Sequence, residues 1–144
     1  MTEQALTVRT ITSAFAQELL AAAEKQATAD GKPMVIAIVD REGTLKAFSR
    51  MDGAPLLSVE IAQNKAYTAA AFGLATHAWF DFIKGDEPLR LGIVHTERLV
   101  TFGGGFPIVV DGEVIGAIGV SGGHYTDDMK VAQAALDSAG LPAA

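Results

Sequence analysis

The order of apolar and polar positions in the first third of the chain predicts one helix and a pair of strands. In residues 7–30 the apolar side chains recur every three or four positions, which is the spacing of an amphipathic helix. Residues 34–39 are continuously apolar and rich in β-branched side chains, as in a strand covered on both faces. Residues 40–43 carry an Asp-x-x-Gly turn signal, and residues 44–50 then alternate as a second strand. We therefore expect a helix followed by an antiparallel strand pair.

A second helix, rich in alanine, is predicted to begin at Ser58, which is a candidate N-cap residue. Its small side chains fall on one face and permit close approach to a sheet or to another helix, so that face is a candidate both for core packing and for a subunit interface. The pattern between residues 76 and 100 is weak and predicts a short helix that contains Trp79, Phe80 and Phe82. These aromatic side chains are expected either to line a cofactor cleft or to cover the edge of the core.

A β-hairpin follows, with strands at residues 106–110 and 113–120 and a tight turn at Asp111-Gly112. Gly116 and Gly119 leave part of its second strand without side-chain cover. Another group must therefore approach that backbone closely, and the sequence leaves two alternatives open, the alanine-rich helix or a flat ligand.

Two glycine clusters frame the hairpin, at residues 103–105 and 121–123. Because antiparallel strands return the chain to its starting edge, we expect both clusters at the same edge of the sheet. The second cluster precedes a final helix for which Thr126 is the predicted N-cap. Exposed N–H groups beside a helix N-terminus can bind a carboxylate or phosphate, while the alternative is that these glycines only permit tight turns.

Composition narrows the functional classes. The 144 residues predict one domain, 1–144, and the hydrophobic fraction of 49% with 19% charged residues indicates a subunit interface or a ligand cavity. A formal charge of -6 with dispersed Lys and Arg argues against nucleic acid and anionic membranes as partners. The absence of cysteine excludes disulfides, thiolate nucleophiles and cysteine-based metal sites.

The N-terminal residues and the histidines exclude two further features. The first residues lack the basic and apolar regions of a signal peptide, and the apolar runs are far shorter than the ~20 residues of a membrane span. A cytoplasmic protein is therefore expected. His77, His95 and His124 form no His-x-x-x-His or similar motif, so no metal site is predicted.

Five ionisable residues lie near the predicted strand ends and helices: Asp40, Arg50, Asp52, Lys65 and Asp128. Lys65 is on a largely apolar helix face, where a buried ammonium needs a carboxylate partner, and we expect that partner to be Asp52. Arg50 ends its strand where its guanidinium can reach a carboxylate. These charges either bind and convert an acidic ligand or form a salt-bridge network that fixes the loop, and both alternatives stay open.

Three segments carry a family resemblance. They are VIAIVDREGTLKAFSRMDGA at 35–54, IAQNKAYTAAAF at 61–72, followed by Thr76, and GGGFPIVVDGEVIGAIGVSGG at 103–123, followed by Asp128. In this order they resemble the GlcG/HbpS family of small domains, also found as the C-terminal domain of PduO-type proteins. The resemblance implies a profilin-like α/β (α+β) fold, an antiparallel sheet flanked by helices, assembled into homo-oligomers from dimers to octamers.

The resemblance also implies a ligand and a set of site residues. Several members of the family bind haem, and some are described as haem sensors or haem-degrading accessories. Haem-binding relatives of the PduO type use a histidine on the first helix as axial ligand, and this sequence has none between residues 7 and 30. By position, the family-like cluster comprises Asp40, Arg50, Asp52, Gly53, Lys65, Thr68, Gly104, Gly105, Pro107, Ser121 and Asp128.

Three functional hypotheses follow. The first is an oligomeric protein that binds haem or another flat, carboxylate-bearing molecule through Arg50, Lys65, Thr68, Gly104, Gly105 and Ser121. The second is an enzyme acting on a small organic acid, in which the catalytic residues are Lys65, Asp52 and Asp128 and Arg50 anchors the substrate carboxylate. The third is a structural or adaptor role. Family membership does not decide between them.

Overall fold

A computed structural model describes residues 1–143 and contains a four-stranded antiparallel sheet with helices on both faces. The strands are β1 (Val35–Asp40), β2 (Leu45–Arg50), β3 (Gly105–Val110) and β4 (Glu113–Ser121). The helices are α1 (Ser13–Asp30), α2 (Leu57–Phe72), α3 (Trp79–Ile83), α4 (Glu87–Gly92) and α5 (Tyr125–Ser138), with 3-10 turns at Thr76–Ala78 and Ile93–His95. The predicted antiparallel sheet flanked by helices is confirmed.

The strand order across the sheet is β2-β1-β4-β3, so β2 and β3 form opposite edges. α1 and α5 cover one face through a cluster that includes Ile36, Ile38 and Ile118. α2 covers the other face through alanines that pack on Val35 and Ala37. Because β1 is buried on both faces, it carries the uninterrupted apolar run that the sequence shows.

Close packing of neighbouring backbone explains why β4 carries glycine at positions 116 and 119. A Cβ atom on Gly119 would overlap the carbonyl oxygen of Ala62 and would lie 2.6 Å from the amide nitrogen of Ala66. A Cβ atom on Gly116 would overlap the carbonyl oxygen of Val39 on the neighbouring strand. The alanine-rich helix and β1 therefore fill the space over these glycines, and the alternative of a flat ligand on that backbone is wrong.

The first helix is shorter than its apolar pattern. Thr12 is its N-cap and accepts a hydrogen bond from the Phe15 amide at 3.1 Å. Ile11 precedes the helix, where its N–H donates to the Ile115 carbonyl at 2.9 Å and its side chain is buried. Residues 7–12 therefore lie outside the helix, because pairing with β4 buries Ile11 in an extended segment.

Two predicted N-caps are wrong. Ser58 lies inside α2 and is buried, while the N-cap position is Leu56, which makes no side-chain capping bond. The cap of α5 is His124, whose Nδ1 accepts a hydrogen bond from the Thr126 amide at 3.3 Å. No helix within residues 1–143 is long and apolar enough to cross a membrane.

Candidate functional site

A buried ion pair joins α2 to α5. The Lys65 side chain is 0% exposed, and its Nζ lies 2.8 Å from Asp128 Oδ2 and 2.9 Å from the Val120 carbonyl oxygen. The other carboxylate oxygen of Asp128 accepts a hydrogen bond from the Gly123 amide at 3.0 Å. The two charges are therefore held by each other, across α2 and α5, and by backbone groups of β4 and of the loop that follows it. We call this arrangement the Lys65–Asp128 pair.

Glycine at position 104 makes room for the ammonium. A Cβ atom on Gly104 would lie 2.7 Å from Lys65 Nζ and 2.6 Å from the Val120 carbonyl oxygen. Its φ of +125° also disfavours other residues. On the other side, the Phe102 ring lies with its centroid 5.1 Å from Nζ, at cation–π distance. The ammonium is therefore enclosed by backbone and by one aromatic ring.

Lys65 also completes the hydrogen bonding of the sheet. Val120 donates its N–H to the Gly104 carbonyl at 3.0 Å, just before β3 begins. The carbonyl of Val120 points to the same edge, because N–H and C=O of one strand residue lie on the same side. There the Val120 carbonyl accepts a hydrogen bond from Lys65 Nζ. The lysine side chain thus takes the place of a backbone N–H that β3 does not supply.

Burial shifts the pKa of Lys65 and the pKa of Asp128 in the directions that favour their neutral forms. It lowers the pKa of Lys65 below its ordinary 10.5, and the Asp128 carboxylate opposes that shift. It raises the pKa of Asp128 above 3.8, and Lys65 and the Gly123 amide oppose that shift. The cause in each case is loss of water around a charge. Such paired shifts occur at catalytic sites and equally in structural ion pairs.

The predicted pairing of Lys65 with Asp52 is wrong. Asp52 is exposed in the loop after β2, and the ion pair of Lys65 is formed by Asp128. The reason is the strand order: β2 is one edge of the sheet, whereas Lys65 faces the junction of β4 and β3 near the other. The structure brings Lys65, Asp128 and Gly104 together and leaves Asp52 apart from them.

Arg50 also lies away from the pair. It is exposed at the end of β2, and its Nε and Nη2 donate to the Ala54 carbonyl at 3.1 and 2.9 Å. Within residues 1–143 the guanidinium of Arg50 contacts no carboxylate, contrary to expectation. The loop after β2 places the Ala54 carbonyl against the guanidinium instead. Arg50 thus fixes the loop that ends β2.

Thr68 and Gly105 have partners within the chain. The hydroxyl of Thr68 donates to the Arg98 carbonyl at 2.8 Å and accepts from the Val100 amide at 3.1 Å. The amide of Gly105 donates to Thr76 Oγ1 at 2.9 Å. These bonds attach the segment before β3 to α2 and to the first 3-10 turn. Roles for Thr68 and Gly105 in ligand binding stay predictions.

The two glycine clusters meet at one edge of the sheet, as predicted. Gly104 accepts from Val120, and Gly123 donates to Asp128, so both clusters contact the Lys65–Asp128 pair. Ser121 is buried and pairs with β1 at the end of β4. Because the Gly123 amide already has an internal acceptor, it is not free for an external anion. The glycine clusters therefore supply part of the backbone that surrounds the Lys65–Asp128 pair.

A surface cleft of about 330 Å³ opens beside the pair. Three half-exposed rings contribute to it: Phe80 is 55%, Phe102 45% and Tyr125 43% exposed. We call it the aromatic cleft, and its lining residues are His77, Phe80, Asp81, Thr101, Phe102, Gly103 and Tyr125. Phe102 is shared, since the same ring covers Lys65 Nζ. The cleft is at the small end of the ~300–1,000 Å³ typical of ligand pockets.

The predicted aromatic cluster divides between two roles. Phe80 lines the aromatic cleft, whereas Trp79 is 2% exposed and covers the core. Phe82 packs edge-on against Trp79, with centroids 5.7 Å apart, and does not line the cleft. Sequence reasoning missed Phe102 and Tyr125, because each lies just outside a glycine cluster, at 103–105 or 121–123, and belongs to no motif itself.

Comparison with known proteins agrees with this fold. The family model described as haem degrading protein HbpS-like matches residues 11–137. An uncharacterized 15.0 kDa protein of the Citrobacter freundii dhaT-dhaS intergenic region is 40% identical over 131 residues, 90% of this chain and 92% of that protein.

Two solved structures extend the similarity to three dimensions. Protein ORFY of Klebsiella pneumoniae is 38% identical with a TM-score of 0.87, covering 95% of both chains. The PduOC:heme complex is 36% identical with a TM-score of 0.85, covering 93% of this chain and 98% of that one. The protein of 144 residues therefore belongs to the HbpS-like family, as the sequence motifs indicated.

Proposed function

We propose that this protein binds haem, or a comparable flat molecule that carries carboxylates, in the aromatic cleft. The observation that supports this proposal is the set of three half-exposed rings around one cavity beside the buried pair. Flat aromatic ligands stack on such rings. Membership of the HbpS-like family and the similarity to a haem complex support haem as the first ligand to test.

The residues that line the aromatic cleft are of the types that bind haem. Phe80, Phe102 and Tyr125 offer aromatic faces, and His77 offers a nitrogen ligand for iron. The carboxylates of haem would remain in water, because the cleft is open and Lys65 is already bonded to two acceptors. Bound haem would supply an iron centre for ligand binding or electron transfer.

Stacking alone gives weak binding. The three rings expose roughly 300 Å² if a full aromatic side chain presents about 200 Å², and covering that area contributes about 7 kcal/mol. Association costs at least about 4 kcal/mol, which leaves about 3 kcal/mol. A millimolar complex needs about 4 kcal/mol, so tighter binding requires an additional directed contact.

Hemin titration of the purified protein tests the proposal. We expect a saturable change in the Soret band with one hemin per chain. Phe80→Ala should weaken binding by up to about a hundredfold, because the exposed area of this ring, roughly 110 Å², contributes about 2.7 kcal/mol at about 25 cal/mol per Å². Phe82→Ala is the matched control, since this ring lies on the same helix, is 54% exposed and is outside the cleft. A linear, non-saturable titration, or equal effects of the two variants, would contradict the proposal.

A second candidate function is turnover of a small organic acid. The observation that favours it is the paired pKa shift of Lys65 and Asp128, of the kind used in proton transfer. Substrate would reach the amine only if Phe102 moved, because Nζ is enclosed. Incubation with a panel of two- to four-carbon acids, followed by NMR, tests it. Product that disappears in Lys65→Met, while circular dichroism shows that the variant is still folded, would support an enzyme, and no product from any acid would remove this candidate.

We also propose that the protein forms a homo-oligomer. Leu56 and Leu57, at the start of α2, are 73% and 75% exposed. Covering each leucine would contribute about 1.5–3 kcal/mol, which favours a second copy on this surface. Native mass spectrometry should report a multimer for the wild type and dissociation for Leu57→Glu. A wild-type monomer at micromolar concentration would contradict this.

A further inference from the structure

The three histidines differ in what surrounds their rings. His77 is exposed, lines the aromatic cleft and makes no side-chain hydrogen bond with another residue in 1–143. His95 ends a 3-10 turn and does not line the cleft. His124 caps α5, and its Nδ1 lies 2.9 Å from the Thr126 hydroxyl and accepts from the Thr126 amide. Of the three, His77 alone presents free nitrogens to the cleft.

The position of His77 is fixed by its neighbours. The preceding residue, Thr76, is buried and accepts a hydrogen bond from the Gly105 amide at 2.9 Å, which attaches the 3-10 turn to the sheet. The imidazole itself packs with its centroid 5.4 Å from the ring of Phe106, which is fully buried in β3. An iron ligand benefits from such support, since a fixed ring loses little freedom when it binds.

A carboxylate stands near the same imidazole. Asp81 lines the aromatic cleft one helical turn after His77. Its Oδ1 lies 2.8 Å from Lys84 Nζ, and this hydrogen bond, with a smaller contribution from His77, lowers the pKa of Asp81. Metal-bound histidines usually donate their second N–H to a carboxylate or carbonyl, so Asp81 is suited to orient the ring.

We infer that His77 would ligate the iron of haem bound in the aromatic cleft, an inference that rests on the proposed haem binding. An imidazole nitrogen of His77 would bind ferric iron in place of the water or chloride that free hemin holds, with no group oxidised or reduced. This bond is the directed contact that stacking on Phe80, Phe102 and Tyr125 lacks. Asp81 serves as a positioning residue for the ring.

This ligand differs from the one that the PduO-type resemblance implies. That ligand is a first-helix histidine, and α1 of this chain contains no histidine. His77 comes from the 3-10 turn after α2, on a different element of the fold. The chain thus offers an iron ligand from its own cleft where the implied one is missing.

Spectroscopy of the hemin complex tests the inference. We compare the wild type with His77→Ala, and with His95→Ala and Phe82→Ala as controls outside the cleft. His77→Ala should weaken hemin binding at least tenfold and move the Soret band toward that of free hemin. Added imidazole should restore the wild-type spectrum in His77→Ala. The two control variants should keep the wild-type spectrum, and Asp81→Asn should alter the ferric EPR signal while His77 remains bound.

Each other outcome has a defined meaning. If the wild type binds no hemin, the proposed function itself fails. If the wild type binds hemin and His77→Ala has the same spectrum and affinity, only the assignment of His77 fails. A loss of the signal in Tyr125→Phe alone would identify a phenolate ligand and overturn the assignment. Because His77 is exposed, circular dichroism should show an unchanged fold in His77→Ala.

Discussion

Removing one member of the Lys65–Asp128 pair should destabilise the protein strongly. Lys65→Met leaves the Asp128 carboxylate, whose side chain is 3% exposed, without its cation. Breaking a buried ion pair in this way costs about 3–5 kcal/mol, a large part of the ~5–15 kcal/mol that stabilises a typical domain. Asp128→Leu should cost a similar amount, because it leaves a buried ammonium instead.

The double variant should cost much less than the two single variants together. With both charges gone, the groups left without a partner are the Val120 carbonyl and the Gly123 amide, at about 1–3 kcal/mol each. The new methionine and leucine side chains bury apolar surface where the charged groups stood, which offsets part of this cost. We therefore expect a coupling free energy of at least about 2 kcal/mol between the two positions.

Urea denaturation followed by circular dichroism measures all four stabilities at pH 7. Lys84→Met is the control, since its Nζ lies at the same 2.8 Å from Asp81 but both side chains are largely exposed. It should cost less than about 1 kcal/mol. Additive costs of Lys65→Met and Asp128→Leu to within about 0.5 kcal/mol would refute the reasoning.

Three further outcomes follow from the packing and the charges. Gly119→Ala should lower the melting temperature sharply, because its Cβ meets backbone atoms of α2, whereas Gly85→Ala, with nothing within 4 Å, should be nearly neutral. The Asp128 carboxyl binds its proton more tightly in the folded state, so its contribution to stability should fall as pH rises from 3.8 through its raised pKa. Measuring the unfolding free energies of the wild type and of Asp128→Asn between pH 3 and 7 tests whether their difference falls in this direction. Thr68→Val removes the acceptor of the Val100 amide and should cost about 1–3 kcal/mol in urea denaturation.

The sheet was predictable because its signals are local. The apolar run of β1 and the Asp111-Gly112 turn, with φ of +50° and +79°, are each specified within a few residues. Helix starts were less predictable, since the residue with a good capping side chain does not always occupy the N-cap position: at α2 that position is Leu56, and Ser58 lies inside the helix. At α5 His124 caps the helix, although Thr126 two positions later has the commoner capping side chain.

The ion pair shows the limit of reading a site from sequence. The sequence identifies both Lys65 and Asp128 as site candidates, but it favours Asp52, the acid closer along the chain, as the partner of Lys65. The true partner is 63 residues away and reaches Lys65 because β4 and α5 bring it there. Strand order decides which acid meets the amine, and strand order is a property of the whole fold.

The aromatic cleft was still less predictable. Its rings at Phe80, Phe102 and Tyr125 come from three segments that are far apart along the chain, and no sequence motif includes any of them. The sequence does not distinguish His77 from the other histidines, because it gives no measure of which ring faces a cavity. Only the packing of α3, the segment before β3 and the start of α5 brings these side chains together.

The position of the Lys65–Asp128 pair has a consequence for synthesis on the ribosome. When α2 and the hairpin have just left the exit tunnel, the carboxylate at position 128 is still inside it, because it follows the end of β4 at Ser121 along the chain. A nascent chain at that stage would have to bury a bare ammonium to dock α2 on the sheet, so docking is expected to wait. The last helix therefore governs when this protein becomes native, and chains released before residue 128 should be open to proteases.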